Sequence, residues 1–179
     1  PHQNMEIISI PLEGDLEHKD SMGNVAIIKQ GDVQVLSAGT GITHSEYNKN
    51  KDKKVKFLQI WVIPKEKNVS PRYDQISTRE IEKENRFYQV LSPNKDDEGV
   101  WINQDAWFNL GKFTKGSTDE YKINKEGNGV YVFVLEGKVE IDGEQLSHRD
   151  GMGIWNTDSV SLKATDNARV LLMEVPMQF

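Results

Sequence analysis

Cysteine is absent from this chain of 179 residues, and so are long apolar segments. Without cysteine the protein can form no disulfide, no thiolate nucleophile and no sulfur-ligated metal site, as is common in a reducing cytoplasm. No segment approaches the roughly 20 apolar residues that cross a bilayer, and the first residues lack the pattern of a signal peptide. We therefore expect a cytoplasmic protein with no membrane partner.

An excess of positive charge is also lacking. The chain has 22 Lys and Arg against 28 Asp and Glu, which gives a formal net charge of −6. Binding to duplex nucleic acid depends on clustered basic residues that neutralise phosphates. The one dense basic run, from Lys49 to Lys56, is interrupted by Asp52 and has the composition of a solvated loop. We expect no nucleic-acid partner.

Strand signals are abundant. A two-residue hairpin signal stands at Asp142-Gly143, and the longest helical candidate, around Thr78 to Asn85, is short and highly charged. We expect at most a turn or two of helix there, and an all-β protein. The clearest β-branched or aromatic runs between turn residues are 33–36, 56–63, 130–135 and 169–175.

An internal repeat refines this fold class. The sequence of residues 7–14, IISIPLEG, recurs at 130–137 as VYVFVLEG, and Gly31-Asp32 has a counterpart in Asp150-Gly151 at a nearly equal offset. Two related β-barrels in tandem explain the repeat. The predicted domains are the first barrel, a connector rich in Pro, Lys and Glu, and the second barrel, at residues 1–64, 65–85 and 86–179.

A candidate metal-binding pair follows the Ser-Ala-Gly-Thr-Gly turn that contains Gly39 and Gly41. His44 and Glu46 stand two residues apart, so on a strand their side chains project from one face. An imidazole nitrogen beside a carboxylate oxygen suits a borderline divalent metal such as iron, zinc, copper or manganese. The pair alone leaves other interpretations open, namely a polar strand end or a core histidine bonded to the backbone. The glycines favour a tight turn that directs His44 inward.

Several motifs around this pair resemble the N-terminal cupin of the pirin family. The resemblance is specific over residues 1–64 and continues more weakly along the rest of the chain. Met22-Gly23-Asn24 matches the bacterial pirin-like branch. The motifs that carry the resemblance are His2-x3-Glu6, Leu12-Glu13-Gly14, Glu17-His18-x-Asp20-Ser21-x-Gly23, Gly31-Asp32, Ser37-Ala38-Gly39-x-Gly41-Ile42-x-His44-x-Glu46 and Pro71-x-Tyr73.

The resemblance implies two tandem cupin-type (jelly-roll) β-barrels and one divalent metal ion in the first. The family's site combines a His-x-His pair with a His-x-Glu pair, which implies that His2, His44 and Glu46 are ligands. The first histidine would precede Pro1, so we expect an N-terminally incomplete first barrel and weaker metal binding. Iron is the expected metal, with zinc, copper, manganese, nickel or cobalt as alternatives. No His-x-Glu follows Gly151, so we expect no metal in the second barrel.

The resemblance also implies a function. Bacterial pirin-like proteins are associated with quercetin 2,3-dioxygenase activity, so the expected substrates are a flavonol and dioxygen, with Glu46 as the catalytic group that accepts the flavonol proton. The alternative is a non-catalytic, metal-dependent regulatory module with a protein partner, like the transcription cofactors among pirins of higher organisms. Fold membership alone does not separate the two.

Other polar and aromatic residues are expected to have structural roles. Glu6 shares the first motif with His2, and we expect it to support the ligands without binding the metal; the alternative is that Glu6 is itself a ligand, as a glutamate at this spacing is in other cupins. His18 and His148 stand in polar segments and are expected to be exposed to solvent. The four tryptophans are expected in the cores, because large aromatic side chains dominate the packing of small barrels. These are Trp61, Trp101, Trp107 and Trp155.

Overall fold

Strands form nearly all the regular structure of the protein. The computed structural model describes residues 1–178, and the helical candidate is reduced there to one short 3-10 turn, Thr78–Glu80. The prediction of an all-β protein is confirmed. No helix in the described part of the chain is long and apolar enough to cross a membrane.

The chain divides into two compact units, each of which contains two separate segments of the sequence. The first unit contains Pro1–Glu80 and Pro93–Gln104, and the second contains Ile81–Ser92 and the chain from Asp105 onward. Residues 72–77, which lie in the predicted connector, form a strand of the first unit. The predicted boundaries at residues 64 and 85 stay a prediction.

The first unit is built from two antiparallel sheets. The larger has the order β6-β1-β4-β7 and the smaller the order β3-β2-β5. Most residues of β1 and all of β4 are buried, and a small apolar core forms around Ile7, Leu36, Ala38 and Ile42. The strands of these sheets are β1 (Glu6–Glu13), β2 (Leu16–Asp20), β3 (Val25–Ile28), β4 (Asp32–Ser37), β5 (His44–Asn48), β6 (Lys56–Val62) and β7 (Arg72–Ser77). A two-residue strand of this unit, β9 (Val100–Trp101), belongs to neither sheet.

The second unit has its own apolar core, with strands ordered β15-β12-β17-β10-β8 in one sheet and β11-β16-β13-β14 in another. Asp142 and Gly143 both have positive φ, 48° and 90°, as a type I′ turn requires, so the hairpin prediction is confirmed. The strands are β8 (Phe87–Ser92), β10 (Trp107–Phe113), β11 (Thr118–Lys122), β12 (Asn128–Glu136), β13 (Lys138–Ile141), β14 (Glu144–Ser147), β15 (Gly151–Ile154), β16 (Ser159–Ala164) and β17 (Ala168–Pro176).

The internal repeat is also a repeat of strand topology. The two copies occupy β1 and β12, and each copy ends at a glycine in the left-handed region, Gly14 at φ 73° and Gly137 at φ 76°. β1 pairs with the strand that begins at Asp32, and β12 pairs with the strand that begins at Gly151. The tandem arrangement predicted from the repeat is therefore present.

Candidate metal centre

The register between β2 and β5 assembles the polar cluster of the first unit. His18 lies opposite Glu46, and Asp20 lies opposite His44. Residues directly opposite on antiparallel strands, and residues two apart on one strand, share a face, so the four side chains point into the same space. Donor atoms of His18, His44 and Glu46 lie within 4.8 Å of one another. Ligands of one ion at about 2.1 Å are roughly 3–4 Å apart, so small side-chain adjustments would suffice.

His2 is held beside this cluster by the turn that precedes His44. The N–H of His2 donates to the carbonyl of Ile42 at 2.8 Å, and the N–H of Ile42 donates back at 2.9 Å. Gly39, at φ 47°, is required in this turn because a Cβ there would lie 2.0 Å from the carbonyl oxygen of Val69. The His2 ring centroid is consequently 5.0 Å from that of His44. Both predicted histidines therefore lie at one site.

The histidines are in the state that binds a metal. Burial, followed by the nearby His18 and His2, lowers the pKa of His44 to about 4, and burial lowers the pKa of His2. Both imidazoles are therefore neutral near pH 7, as metal ligation requires. Within residues 1–178, the buried Nδ1 atoms of His44 and His18 have no hydrogen-bond partner. The unpaired buried nitrogen of His44, beside the carboxylate of Glu46, is a donor that fits a divalent metal.

Both oxygens of Glu46 are held by neighbouring side chains. Ser9 Oγ donates to Oε1 at 3.0 Å, and Gln59 Nε2 donates to Oε2 at 2.6 Å. The Gln59 side-chain oxygen accepts in turn from Trp61 Nε1 at 3.3 Å. Burial raises the pKa of Glu46, while the bonds from Ser9 and Gln59 and the nearby His18 oppose that rise. The carboxylate is thus oriented for ligation and is more basic than an exposed glutamate.

His18 is buried, so its predicted exposure is wrong. Its exposed fraction is 0%, its Nε2 lies 3.0 Å from Asp20 Oδ2, and its Nδ1 lies 4.0 Å from Glu46 Oε1. Burial alone would raise the pKa of Asp20, but hydrogen bonds from His18, Asn24 and Met22 lower it overall. A carboxylate on one ring nitrogen fixes the orientation of a histidine near a metal. The spacing of His18 and Asp20, two residues apart on one strand, is the sequence signal that could have predicted that both side chains share the face of the cluster. His148 is exposed, as predicted.

Glu6 lies away from the cluster, contrary to the expectation that it supports the ligands. Glu6 lies opposite Ser37 in the register of β1 and β4. Because Glu6 and Ser9 are three residues apart on β1, their side chains point to opposite faces of the sheet. There it accepts hydrogen bonds from Ser37 Oγ at 2.6 Å and from Asn103 Nδ2 at 2.9 Å. Glu6 is therefore a buried structural carboxylate.

The prediction that all four tryptophans are core residues is wrong for two of them. Trp61 is 57% exposed and Trp155 is 56% exposed, whereas Trp101 and Trp107 are partly buried. Trp61 lies at the end of an edge strand, with its ring centroid 5.3 Å from that of His2. A cavity of about 400 Å³ adjoins His2 and is lined by Pro1, His2, Gln3, Ser21, Gly41, Ile42 and Thr43.

Three polar residues beside the cluster were not predicted from the sequence. Gln59, Ser9 and Gln34 lie side by side on β6, β1 and β4, on the face from which Gln59 and Ser9 reach Glu46. Gln34 is completely buried. Each of the three is a single polar residue inside an apolar strand, and that interruption is the signal that could have identified them.

Comparisons with known proteins show what this chain is similar to. The family model described as pirin matches residues 1–62, and the model described as the quercetinase C-terminal cupin domain matches residues 89–175. An Escherichia coli protein named quercetin 2,3-dioxygenase is 37% identical over 98% of this chain and 74% of its own length. A pirin-like protein of Caulobacter vibrioides is 33% identical over 97% of this chain and 75% of its own.

A solved structure extends the comparison to the fold. The bacterial pirin YhhW of Escherichia coli, in complex with nickel(II), is 35% identical with a TM-score of 0.90, over 98% of this chain and 74% of that one. The two tandem cupin-type barrels expected from the sequence are therefore supported by similarity in three dimensions as well as by the family models.

Proposed function

This chain belongs to the pirin family, and on that basis we propose that it is a metal-dependent dioxygenase that opens the ring of a flavonol such as quercetin. The observation that carries the proposal is the projection of His44 and Glu46 from β5 into one buried cluster with an unpaired imidazole nitrogen. The names of the relatives supply the substrate class, and the nickel(II) complex of one relative supports a divalent ion.

We assign the metal to His2, His44 and Glu46, and we take iron as the first candidate. His44 and Glu46 belong to any ligand set that this cluster allows. The third nitrogen comes from His2 in this proposal because His2 borders the 400 Å³ cavity, through which an ion and a substrate can approach. His18 is completely buried and lies opposite Glu46 in the register of β2 and β5, and in this proposal it supports the carboxylate.

A bound divalent metal would supply Lewis acidity and a place for dioxygen chemistry. The chain supplies the proton acceptor and the orientation. Glu46, whose pKa is raised by burial, accepts the proton of the flavonol hydroxyl, while Ser9 and Gln59 keep its oxygens in place. The exposed indole of Trp61 offers a flat apolar surface against which a planar substrate can pack.

Oxygen uptake tests this function. The metal-free protein is loaded with Fe(II) or Ni(II), quercetin is added, and dioxygen consumption is followed together with loss of the flavonol absorbance. We expect consumption by the native chain and none by His44→Ala. His148→Ala is the matched control, because His148 is an exposed histidine of the second unit. Metal binding without consumption of quercetin would contradict the proposal.

A non-catalytic role has one observation in its favour. On the outer face of β3-β2-β5, Val25 is 68% exposed, Ile27 is 40% exposed and Tyr47 is 64% exposed. Apolar residues grouped on a surface are typical of a site for a protein partner. Capture of one specific partner by the metal-loaded protein, lost when Tyr47 is changed to Lys, would favour this function if quercetin is not consumed.

A further inference from the structure

The side chain of Gln34 is an unpaired polar group in the interior of the first unit. Its exposed fraction is 0%, and within residues 1–178 neither its amide nitrogen nor its amide oxygen has a hydrogen-bond partner. An unpaired buried amide destabilises a protein, because the amide loses its bonds to water on folding. A glutamine in the middle of an apolar strand therefore calls for a ligand that satisfies it.

Both lateral neighbours of Gln34 are already bonded to other groups. In the register of the sheet, Gln34 lies between Ser9 on β1 and Gln75 on β7. Ser9 donates to Glu46, while Gln75 donates to Asp32 Oδ2 at 2.9 Å and accepts from Tyr73 Oη at 2.6 Å. In the row formed by Ser9, Gln34 and Gln75, only the amide of Gln34 is therefore without a hydrogen-bond partner in the described chain. Ser9 connects this row to the cluster of His18, His44 and Glu46.

His18 lies over the same part of this row. Its ring centroid is 4.9 Å from that of Tyr73, the residue of β7 diagonal to Gln34. Its Nδ1 is 4.0 Å from Glu46 Oε1, the oxygen that Ser9 holds from the other side of Gln34. His18 therefore lies beside the hydrogen-bond partner of each neighbour of Gln34, namely Tyr73, which bonds Gln75, and Glu46, which Ser9 bonds. Its Nδ1 is also without a hydrogen-bond partner in the described chain.

We propose that the amide of Gln34 and Nδ1 of His18 together bind one internal water molecule beneath Glu46. An amide offers both donors and an acceptor, and a buried water typically makes about three hydrogen bonds, so the ligand class fits the available atoms. The water fixes the His18 ring and, through it, the carboxylate of Glu46. Gln34 is in this account a positioning residue for the metal centre, so its functional consequence rests on the proposed function.

The first test is a high-resolution crystal structure of the native protein without metal. We expect an ordered water within hydrogen-bond distance of the Gln34 amide and of His18 Nδ1. A dry interior there, or a Gln34 amide bonded to another protein group, would overturn the proposal. This measurement does not depend on metal binding or on any activity.

The second test asks whether the water acts on the metal centre. Gln34→Met has a similar volume and cannot hold the water, whereas Leu36→Met, on the same strand and face, changes only apolar packing. We expect Gln34→Met to raise the dissociation constant for Co(II) about 10-fold, as for the loss of a group that orients a ligand, and to alter the Co(II) absorption spectrum. Leu36→Met should do neither.

A third variant identifies the partner of Gln34. In the His18→Phe variant the water has already lost one of its two hydrogen-bond partners. Adding Gln34→Met to that variant should therefore reduce the affinity for Co(II) little further. An unchanged affinity in Gln34→Met, or an equal loss in both backgrounds, would refute the role of the water. If the native protein binds no metal, the proposed function fails, and the crystallographic test still decides the water site. The same test decides it if Gln34→Met does not fold.

Discussion

Replacement of Ser9 by alanine probes the orientation of Glu46, the carboxylate that we propose as a metal ligand. Ser9 is completely buried, and its hydroxyl donates to Glu46 Oε1 at 3.0 Å, so the substitution removes one of the bonds that hold Glu46. Loss of a group that orients a metal ligand typically weakens metal binding about 10–100-fold, which corresponds to about 1.4–2.7 kcal/mol. Loss of the hydrogen bond also lowers the free energy of unfolding by about 1 kcal/mol.

The control variant is Ser37→Ala. Ser37 is an equally buried serine of the same sheet, and its hydroxyl donates to the buried carboxylate of Glu6 on the opposite face. Both substitutions should lower the melting temperature by about 2–4 °C, the shift expected for about 1 kcal/mol in a chain of this size. Only Ser9→Ala should weaken the binding of Ni(II), measured by titration calorimetry on the metal-free protein near pH 7. Equal effects of the two variants on affinity, or no effect of Ser9→Ala, would refute the reasoning.

Three further predictions concern His44, Trp61 and Glu174. Folding lowers the pKa of His44 from 6.5 to about 4, so between these pH values the unfolded chain binds one more proton than the folded chain. The metal-free protein should therefore lose stability as the pH falls through this range. Urea unfolding midpoints measured across the range should fall less for His44→Phe than for the native chain. Trp61→Leu should raise KM for quercetin about 2- to 12-fold, the equivalent of one aromatic contact, and an unchanged KM would exclude the stacking role. Glu174 is completely buried and accepts hydrogen bonds from Tyr121, Asn124 and Asn128, so Glu174→Gln should lower the free energy of unfolding by about 2–4 kcal/mol in thermal denaturation, with metal affinity preserved.

The sequence was sufficient for the parts of the protein that depend on local signals. The apolar runs identified the strands, the repeat of the Leu-Glu-Gly motif identified the two barrels, and the spacing of His44 and Glu46 identified two members of the cluster. In each case the period of the strand, or a chemical preference of the residues, fixes the outcome without knowledge of distant partners.

The errors arose where the outcome depends on the register between strands. His18 stands in a polar segment that resembles a solvated turn, but pairing with β5 places it opposite Glu46 and buries it. Ser9, Gln34 and Gln59 are far apart in the chain, and only the pairing of three strands brings them into one row. Trp61 is exposed because its strand is at the edge of the sheet, which composition does not reveal.

The most direct test of the metal centre is the stoichiometry of divalent metal in three purified chains. Metal-free native protein, His44→Ala and His148→Ala are each equilibrated with Fe(II) or Ni(II), freed of unbound ion and measured by elemental mass spectrometry. We predict about one ion per chain in the native protein and in His148→Ala, and almost none in His44→Ala, because the His44 ring centroid lies 5.0 Å from that of His2 and 5.5 Å from that of His18. Full occupancy in His44→Ala, or loss of the ion in His148→Ala, would contradict the account.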